Sequence, residues 1–335
     1  MTYNIFLRPP FVKNNESDFK EERFNLFLEK LNNYSVVALQ ELFSLGNTRQ
    51  QRLISYAKDH GFPYHLKSIP PPLLSRKFID AGLLILSRYP IIRSGGHIFT
   101  SGNQIDFYAA KQILYAQIAF PPAGGPPGRA EGGAEGGPRL HLFTLHLQAS
   151  YYDNDAATNV FNDQSRDDQV SELVQFVQET LSKEAFREED LCLVAGDFNV
   201  NSRKTSDGVA ETMEYKRMVG IFKTHFDEGQ YVFKDSLMDN YGYHPVTYGD
   251  VEQKEGIETP KETVLTDSVD LFCKLSIDYI FSIQKQPGLD ASRSAGGKGK
   301  KLSIENALIE EFLCKSAHVT QLSDHYGISA DFVFS

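Results

Sequence analysis

The chain has 335 residues, 41% hydrophobic and 23% charged, with a formal net charge of −10. That composition suits a soluble globular protein with a large core and leaves no apolar run of the roughly 18–20 residues that cross a bilayer. The acidity argues against a broad footprint on nucleic acid, which wants clustered Lys and Arg.

From the start, Met1-Thr2-Tyr3-Asn4 runs into a strand pattern with no n-region, h-region or cleavage site. The expectation is a cytoplasmic protein peripheral to membranes, with secretion or anchoring left open if this end has been trimmed. Phe24, Phe27, Leu28 and Leu31 fall at i, i+3, i+4 and i+7 and predict an amphipathic helix. Short runs rich in β-branched and aromatic residues follow at Val36–Leu39, Gly82–Leu86, Ile113–Phe120, Leu140–Leu147, Leu191–Ala195 and Ile277–Phe281. They read as strands, with a last one over Ile328–Phe334. Val170, Leu173, Val174, Val177 and Leu181 predict a second helix, with Ser165-x-x-Asp168 as its capping box and Arg166-x-x-Gln169 at its opening. Cys192, Cys273 and Cys314 match no zinc spacing and read as reduced thiols.

Residues 121–138, almost wholly Gly, Pro, Ala and Glu, and residues 291–301, rich in Gly, Ser and Lys, read as low-complexity loop insertions. Long surface loops cost little extra closure entropy. The expectation is therefore one domain over residues 1–335, of α+β class, with packed sheets and helices outside them.

Two strings stand out chemically. Gly196-Asp197-Phe198-Asn199 follows an apolar run, so strand alternation is expected to put Asp197 and Asn199 on one face. Ser323-Asp324-His325 precedes the last strand. Four further positions sit in or beside apolar runs: Asn4, Glu41 after Gln40, His146 alternating with Gln148, and Asp278. Singly, each has an ordinary reading as a surface acid, a core histidine or a turn residue. Jointly they supply what divalent-metal hydrolysis of a phosphodiester needs.

In this order the strings resemble the endonuclease/exonuclease/phosphatase superfamily, a four-layered α/β sandwich of two mixed or antiparallel sheets, over nearly the whole chain from Asn4 to Phe334. The neutral and bacterial sphingomyelinase branch is similar through Thr144–Ala149, Ala195–Asn201, Ser323–Tyr326 and Asp80–Pro90. Asp106 and Lys111, five residues apart ahead of a strand, are similar to that branch's Asp–Lys pair, which is implicated in switching the site between inactive and active states. Spacing alone reads the pair as a loop ion pair worth under about 1 kcal/mol.

The resemblance implies magnesium, with manganese as a substitute, held by Glu41 and by a neutral oxygen of Asn4; Asp324 is expected beside a metal or beside His146. His325, with an ordinary pKa of about 6.5, is the candidate base, and Asp278 the partner of its other ring nitrogen. Asp197 is expected to orient the attacking water, and Asn199 and His146 to donate hydrogen bonds to the charge developing at phosphorus. The implied reaction cleaves sphingomyelin at a membrane surface into ceramide and phosphocholine, with the loops Ile69–Leu74 and Ile98–Tyr108 as candidate membrane contacts. No protein partner is implied. The competing readings are a nuclease or another phosphoesterase of the superfamily, which the acidic charge disfavours for nucleic acid, and a binding protein on an inactive fold.

Overall fold

The structure, a computed structural model, describes residues 1–70, 79–102, 110–121, 137–150, 156–226, 229–286, 300–316 and 318–335. The elements in chain order are β1 (Thr2–Leu7), α1 (Lys20–Lys30), β2 (Val36–Leu42), α2 (Arg49–Asp59), β3 (Tyr64–Lys67), β4 (Leu84–Ser87), β5 (Ile91–Ile98), β6 (Gln112–Ala119), β7 (Arg139–His146) and α3 (Ala156–Lys183). They continue with β8 (Leu191–Asp197), α4 (Met213–His225), β9 (Tyr231–Asp235), α5 (Ser236–Tyr241), β10 (Tyr248–Gly249), β11 (Val251–Lys254), β12 (Ile257–Pro260), β13 (Lys274–Leu275), β14 (Asp278–Lys285), β15 (Leu302–Glu310) and β16 (Gly327–Phe334).

Strand alternation divides the apolar residues into three layers of packing. One six-stranded sheet runs β15-β16-β1-β2-β4-β3 and a second runs β5-β6-β7-β8-β14-β9. Between them lie Ala38 and Ile85 from the first sheet, against Leu142, Leu193 and Ile280 from the second. The outer face of the first sheet, with Tyr3, Ile5, Val37 and Leu39, is covered by Phe24 and Phe27 of α1 and Leu53 and Ala57 of α2. The outer face of the second, with Phe143, Val194 and Phe281, is covered by Val170, Leu173 and Val177 of α3 and Phe222 of α4. The result is the expected α+β sandwich of four layers.

All six predicted apolar runs and the last strand fall in β2, β4, β6, β7, β8, β14 and β16. Their patterns are continuous because both faces are covered; every residue of β6 is buried. The second helix differs from expectation. It begins at Ala156, so Ser165, Arg166, Asp168 and Gln169 lie in its interior and form neither a capping box nor an opening turn. Its upstream part buries Asn162, Arg166 and Gln169 rather than apolar side chains, which left no stripe to read there. All three cysteines carry free thiols. The two low-complexity stretches lie mostly outside the described residues. Among the described residues no helix is long and apolar enough to cross a membrane.

A backbone contact explains Gly196. Its φ is +147°, and a Cβ there would stand 2.2 Å from the carbonyl oxygen of Leu145 on the parallel neighbour β7. Gly196→Ala is therefore expected to force β7 and β8 apart at the end of the strand pair, destabilising the fold by about 1–3 kcal/mol. Thermal unfolding of the purified variant measures this, and an unchanged midpoint would contradict the packing described.

Candidate active site

Register alone assembles half of the site. His146 at the end of β7 is paired with Asp197 at the end of β8, and Asp197 is paired with Asp278 at the head of β14. The three residues thus form one row across three strands, on the face turned towards the first sheet, since Phe143, Val194 and Phe281 occupy the opposite face.

The first sheet supplies the other half. Asn4 lies on the inner face of β1, between the outward-facing Tyr3 and Ile5. Glu41 reaches it through a break in alternation. Leu39 and Leu42 of β2 both face the helices, and the residue that absorbs the mismatch is Glu41, with φ +57°. Gly82, at φ +64°, passes close behind; a Cβ on it would lie 3.1 Å from the Cα of Glu41. Swung out of the strand, Glu41 accepts a hydrogen bond from Asn4 Nδ2 at 3.1 Å. The same amide donates to Asp197 Oδ2 at 2.9 Å, and Asn4 Oδ1 accepts from the Phe6 backbone N–H at 3.1 Å. Asn4 therefore presents its nitrogen to the carboxylates here, not the oxygen expected of a metal ligand.

His325 stands between the two halves. Its Nδ1 lies 2.9 Å from Asp278 Oδ2, and its Nε2 lies 3.4 Å from Asn4 Nδ2 and 3.8 Å from Asp197 Oδ2. His146 Nε2 is 3.5 Å from Asp197 Oδ2 and 4.0 Å from Glu41 Oε1. Asp324 accepts a hydrogen bond at 3.1 Å from the hydroxyl of Ser323. Asn199 lies beyond the strand end in left-handed conformation, with φ +53°; its N–H donates to Asp197 Oδ1 at 2.9 Å. A turn, not strand alternation, thus brings Asn199 to the cavity that Asp197 lines. That turn also lets Asn199 Nδ2 donate to the carbonyl of Leu147 at 3.2 Å.

Lys111 Nζ donates to the same Leu147 carbonyl. Its expected partner Asp106 lies outside the described residues. Every candidate residue other than Asp106 is thereby located, and Glu41, Lys111, His146, Asp197, Asn199, Asp324 and His325 line one cavity of about 800 Å3. Of the two candidate membrane loops, most of each lies outside the described residues; within them Ile69 is exposed, whereas Phe99 is buried in the core and unable to reach a membrane.

Burial sets the electrostatics. It raises Asp197, helped by the neighbouring Asp278 charge, and it raises Asp324 to about 6, helped by Glu41. Burial also drives His146 well below its ordinary value, reinforced by Lys111 and His325, so His146 is neutral. For His325 burial pulls downward, but Asp278 and then Asp197 outweigh it and lift the imidazole to about 10. Carboxylates crowded away from water call for positive charge.

These donors fit a hard cation. Glu41 Oε2 is buried with no hydrogen-bond partner among the described residues, and the carboxylates of Asp197 and Asp324 are held above their ordinary range. Asp197, Asp278 and His325 also bring one ligating atom each to within 4.8 Å of one another. Magnesium prefers oxygen, and Asp278 already engages the Nδ1 of His325, so the Glu41 side of the cluster suits it better.

Two residues that sequence reasoning passed over hold this arrangement together. Arg23 of α1 is buried and donates to the carbonyls of Ile5 at 3.0 Å, Phe6 at 2.7 Å and Leu322 at 2.8 Å. It thereby ties the chain after Asn4 to the chain before Asp324. Its signal was a charge inside the apolar stripe, four residues before Phe27. Thr247 accepts from the backbone N–H groups of Ile277 at 3.0 Å and Asp278 at 3.1 Å. It sits in no apolar run and gave no signal. Arg166, expected from its sequence only at the opening of the helix, lines the cavity and donates to the Gln148 carbonyl at 3.2 Å and to Ser150 Oγ at 2.9 Å.

Two sheets closing over an acid-rich cavity with an Asp-paired histidine make a phosphoesterase site whose donors fit a metal ion. Residues 1–282 match the Endonuclease/Exonuclease/phosphatase family, and the chain belongs to that family. It is a phosphodiester hydrolase. It is similar to a sphingomyelinase of Dictyostelium discoideum, 30% identical over 362 residues, which cover 96% of this chain and 76% of that protein. Among solved structures it shares its fold with sphingomyelinase C from Streptomyces griseocarneus, at a TM-score of 0.61, 19% identity and coverage of 98% and 97% of the two chains. A mutant of beta toxin from Staphylococcus aureus with bound magnesium ions gives 0.60, 19%, 98% and 97%. TDP2 from D. rerio complexed with a single-strand DNA product gives 0.56, 16%, 99% and 97%.

The shifts above fix a sign for stability. Asp197, Asp324 and His325 all bind protons more tightly folded than unfolded, so the metal-free fold loses stability as pH rises through their folded values. His146 acts oppositely, but only below about pH 6.5, its unfolded value. Between about pH 7 and 9 the unfolding midpoint in chelator is expected to fall, and magnesium to raise it and flatten the decline. Scanning fluorimetry with and without magnesium tests this; a midpoint indifferent to the ion would remove the cation from the cluster.

Proposed function

We propose that this chain is a magnesium-dependent phospholipase C-type hydrolase that cleaves sphingomyelin, or a related phosphosphingolipid, into ceramide and phosphocholine. The observation that carries the reading is the His325–Asp278 pair at 2.9 Å, beside Asp197 in a cavity of a size to take a phosphodiester headgroup.

Asp278 accepts the Nδ1–H of His325 and so fixes the tautomer that leaves Nε2 facing Asp197. With the charge of the surrounding acids offset, as a bound cation would do, His325 releases the Nε2 proton that those acids hold on it. Nε2 is then the atom that takes a proton from the attacking water, which Asp197 orients from the adjacent position. The water oxygen bonds to phosphorus as the bond to the ceramide oxygen breaks; the leaving oxygen takes a proton from solvent on release, and the His325 imidazolium returns its proton to solvent. Neutral His146 keeps a ring N–H to donate towards the phosphoryl oxygens, joined by the Asn199 amide when it turns from Leu147. Glu41 and Asp324 would hold the magnesium, joined by Asn4 if its amide turns, and the ion supplies Lewis-acid stabilisation and partial neutralisation of the acids around His325.

Similarity to a sphingomyelinase over nearly the whole chain supports the lipid substrate. The second reading, a nuclease-type phosphoesterase, draws on the likeness to TDP2, and the net charge of −10 weighs against it.

Phosphocholine release from sphingomyelin vesicles, set beside cleavage of single-stranded DNA, decides between them. The expected result is lipid turnover with magnesium, none in chelator, and no DNA cleavage; DNA cleavage without lipid turnover overturns the proposal. His325→Ala is expected to lower kcat by at least about a hundredfold while leaving the fold intact, read by turnover and circular dichroism on the same sample.

A further inference from the structure

The active base and its orienting acid come together from separate segments, Asp278 at the head of β14 and His325 in the loop before β16. Among the described residues no strand pairing joins those two segments directly. What lies between them is the three-residue stretch Thr247–Gly249, and its bonds run both ways. Thr247 Oγ1 accepts the backbone N–H groups of Ile277 and Asp278 at 3.0 and 3.1 Å, and its own N–H donates to the Leu275 carbonyl at 2.8 Å. On the other side its carbonyl accepts the N–H of Tyr326 at 2.7 Å. Tyr248 makes an antiparallel bridge with His325, and its ring meets the imidazole edge-on, with centroids 4.9 Å apart.

We infer that Thr247 is a positioning residue for catalysis, a splint whose hydroxyl oxygen and carbonyl together set the separation of Asp278 from His325. The inference rests on the reading of those two residues as acid and base. Thr247 is fully buried and lines neither the cavity nor the cation cluster, so it acts only through the pair. Two properties suit a threonine. One hydroxyl oxygen has two lone pairs and takes two backbone donors at once, and a β-branched side chain stiff at χ1 holds that oxygen still. Loss of the oxygen leaves two buried N–H groups to find partners, and the cheapest response is a shift of the strand head that carries Asp278. A displacement of about 1 Å in an acid–base pair is enough to lower turnover a hundredfold.

The test compares Thr247→Val, which keeps the shape and removes the oxygen, with Thr247→Ser, which restores it. Two readouts are taken on the full-length protein. The first is turnover of sphingomyelin vesicles and of bis(4-nitrophenyl) phosphate. Thr247→Val is expected to lose about tenfold to a hundredfold in kcat with KM unchanged, and Thr247→Ser to recover most of it. The second is the proton resonance of the His325 Nδ1–H held by Asp278, identified by its absence from His325→Ala. It is expected to move or vanish in the Val protein and persist in the Ser protein. An unmoved resonance in Thr247→Val, or a Ser variant as impaired as the Val one, overturns the inference. Should the Val protein fail to fold, Thr247→Ala removes the same acceptor and is read in the same way. A wild-type enzyme that turns over neither substrate defeats the proposed function, while the resonance still decides the role of Thr247.

Discussion

The arrangement depends on holding several carboxylates together where water cannot screen them. Glu41, Asp197, Asp278 and Asp324 converge from four segments, and without a cation the described residues offer them chiefly the Asn4 amide, the His325 imidazole and more distant cationic groups. Burying such a set is unfavourable on electrostatic grounds, so the surrounding fold has to hold it in place. It does so with a row of paired residues across β7, β8 and β14, an amide that bridges the two sheets, and Arg23 tying down the chain on either side. On the proposed mechanism that tension is functional, since a cluster short of positive charge is preorganised to gain from a metal ion that would in turn hold an anionic phosphoryl group.

The two sheets take different parts in this. The second provides a rigid row whose spacing is set by ladder hydrogen bonds. The first provides an irregularity, with Phe6 and Glu41 both at positive φ and the register between β1 and β2 slipping after Asn4. Regular strands deliver side chains in alternation, and a site needing Asn4 and Glu41 side by side has to break it. Buried Gln40 shows what the regular position does instead: it bridges the sheets by donating to Thr2 Oγ1 at 3.0 Å and Thr144 Oγ1 at 2.9 Å.

How much of this was legible in the chain follows from the same physics. Strands covered on both faces appear as unbroken apolar runs, and β2, β4, β6, β7, β8 and β14 were readable for that reason. Those of the two large sheets that escaped notice, β3, β5, β9 and β15, are their four edges, where partial exposure mixes polar residues into the pattern. The polar residues at strand ends were legible because each follows an apolar run. The splint at Thr247 was not, because its role lies in backbone bonds and the strand that follows it is two residues long. The start of α3 misled for a related reason: next to the site, the helix buries Arg166 and Gln169, and a polar face has no hydrophobic period.

The contact between Asn4 and His325 spans 321 residues. Chains emerge from the ribosome N-terminal end first, and non-local contacts form late because loop closure has to precede them. The amide that joins the acids is therefore made well before the base. Every nascent chain that has not yet reached His325 carries ligands for a cation but no completed dyad. On the proposed mechanism, a chain truncated ahead of β16 and the loop before it lacks the base and is therefore without turnover, whatever it has folded of the acid cluster.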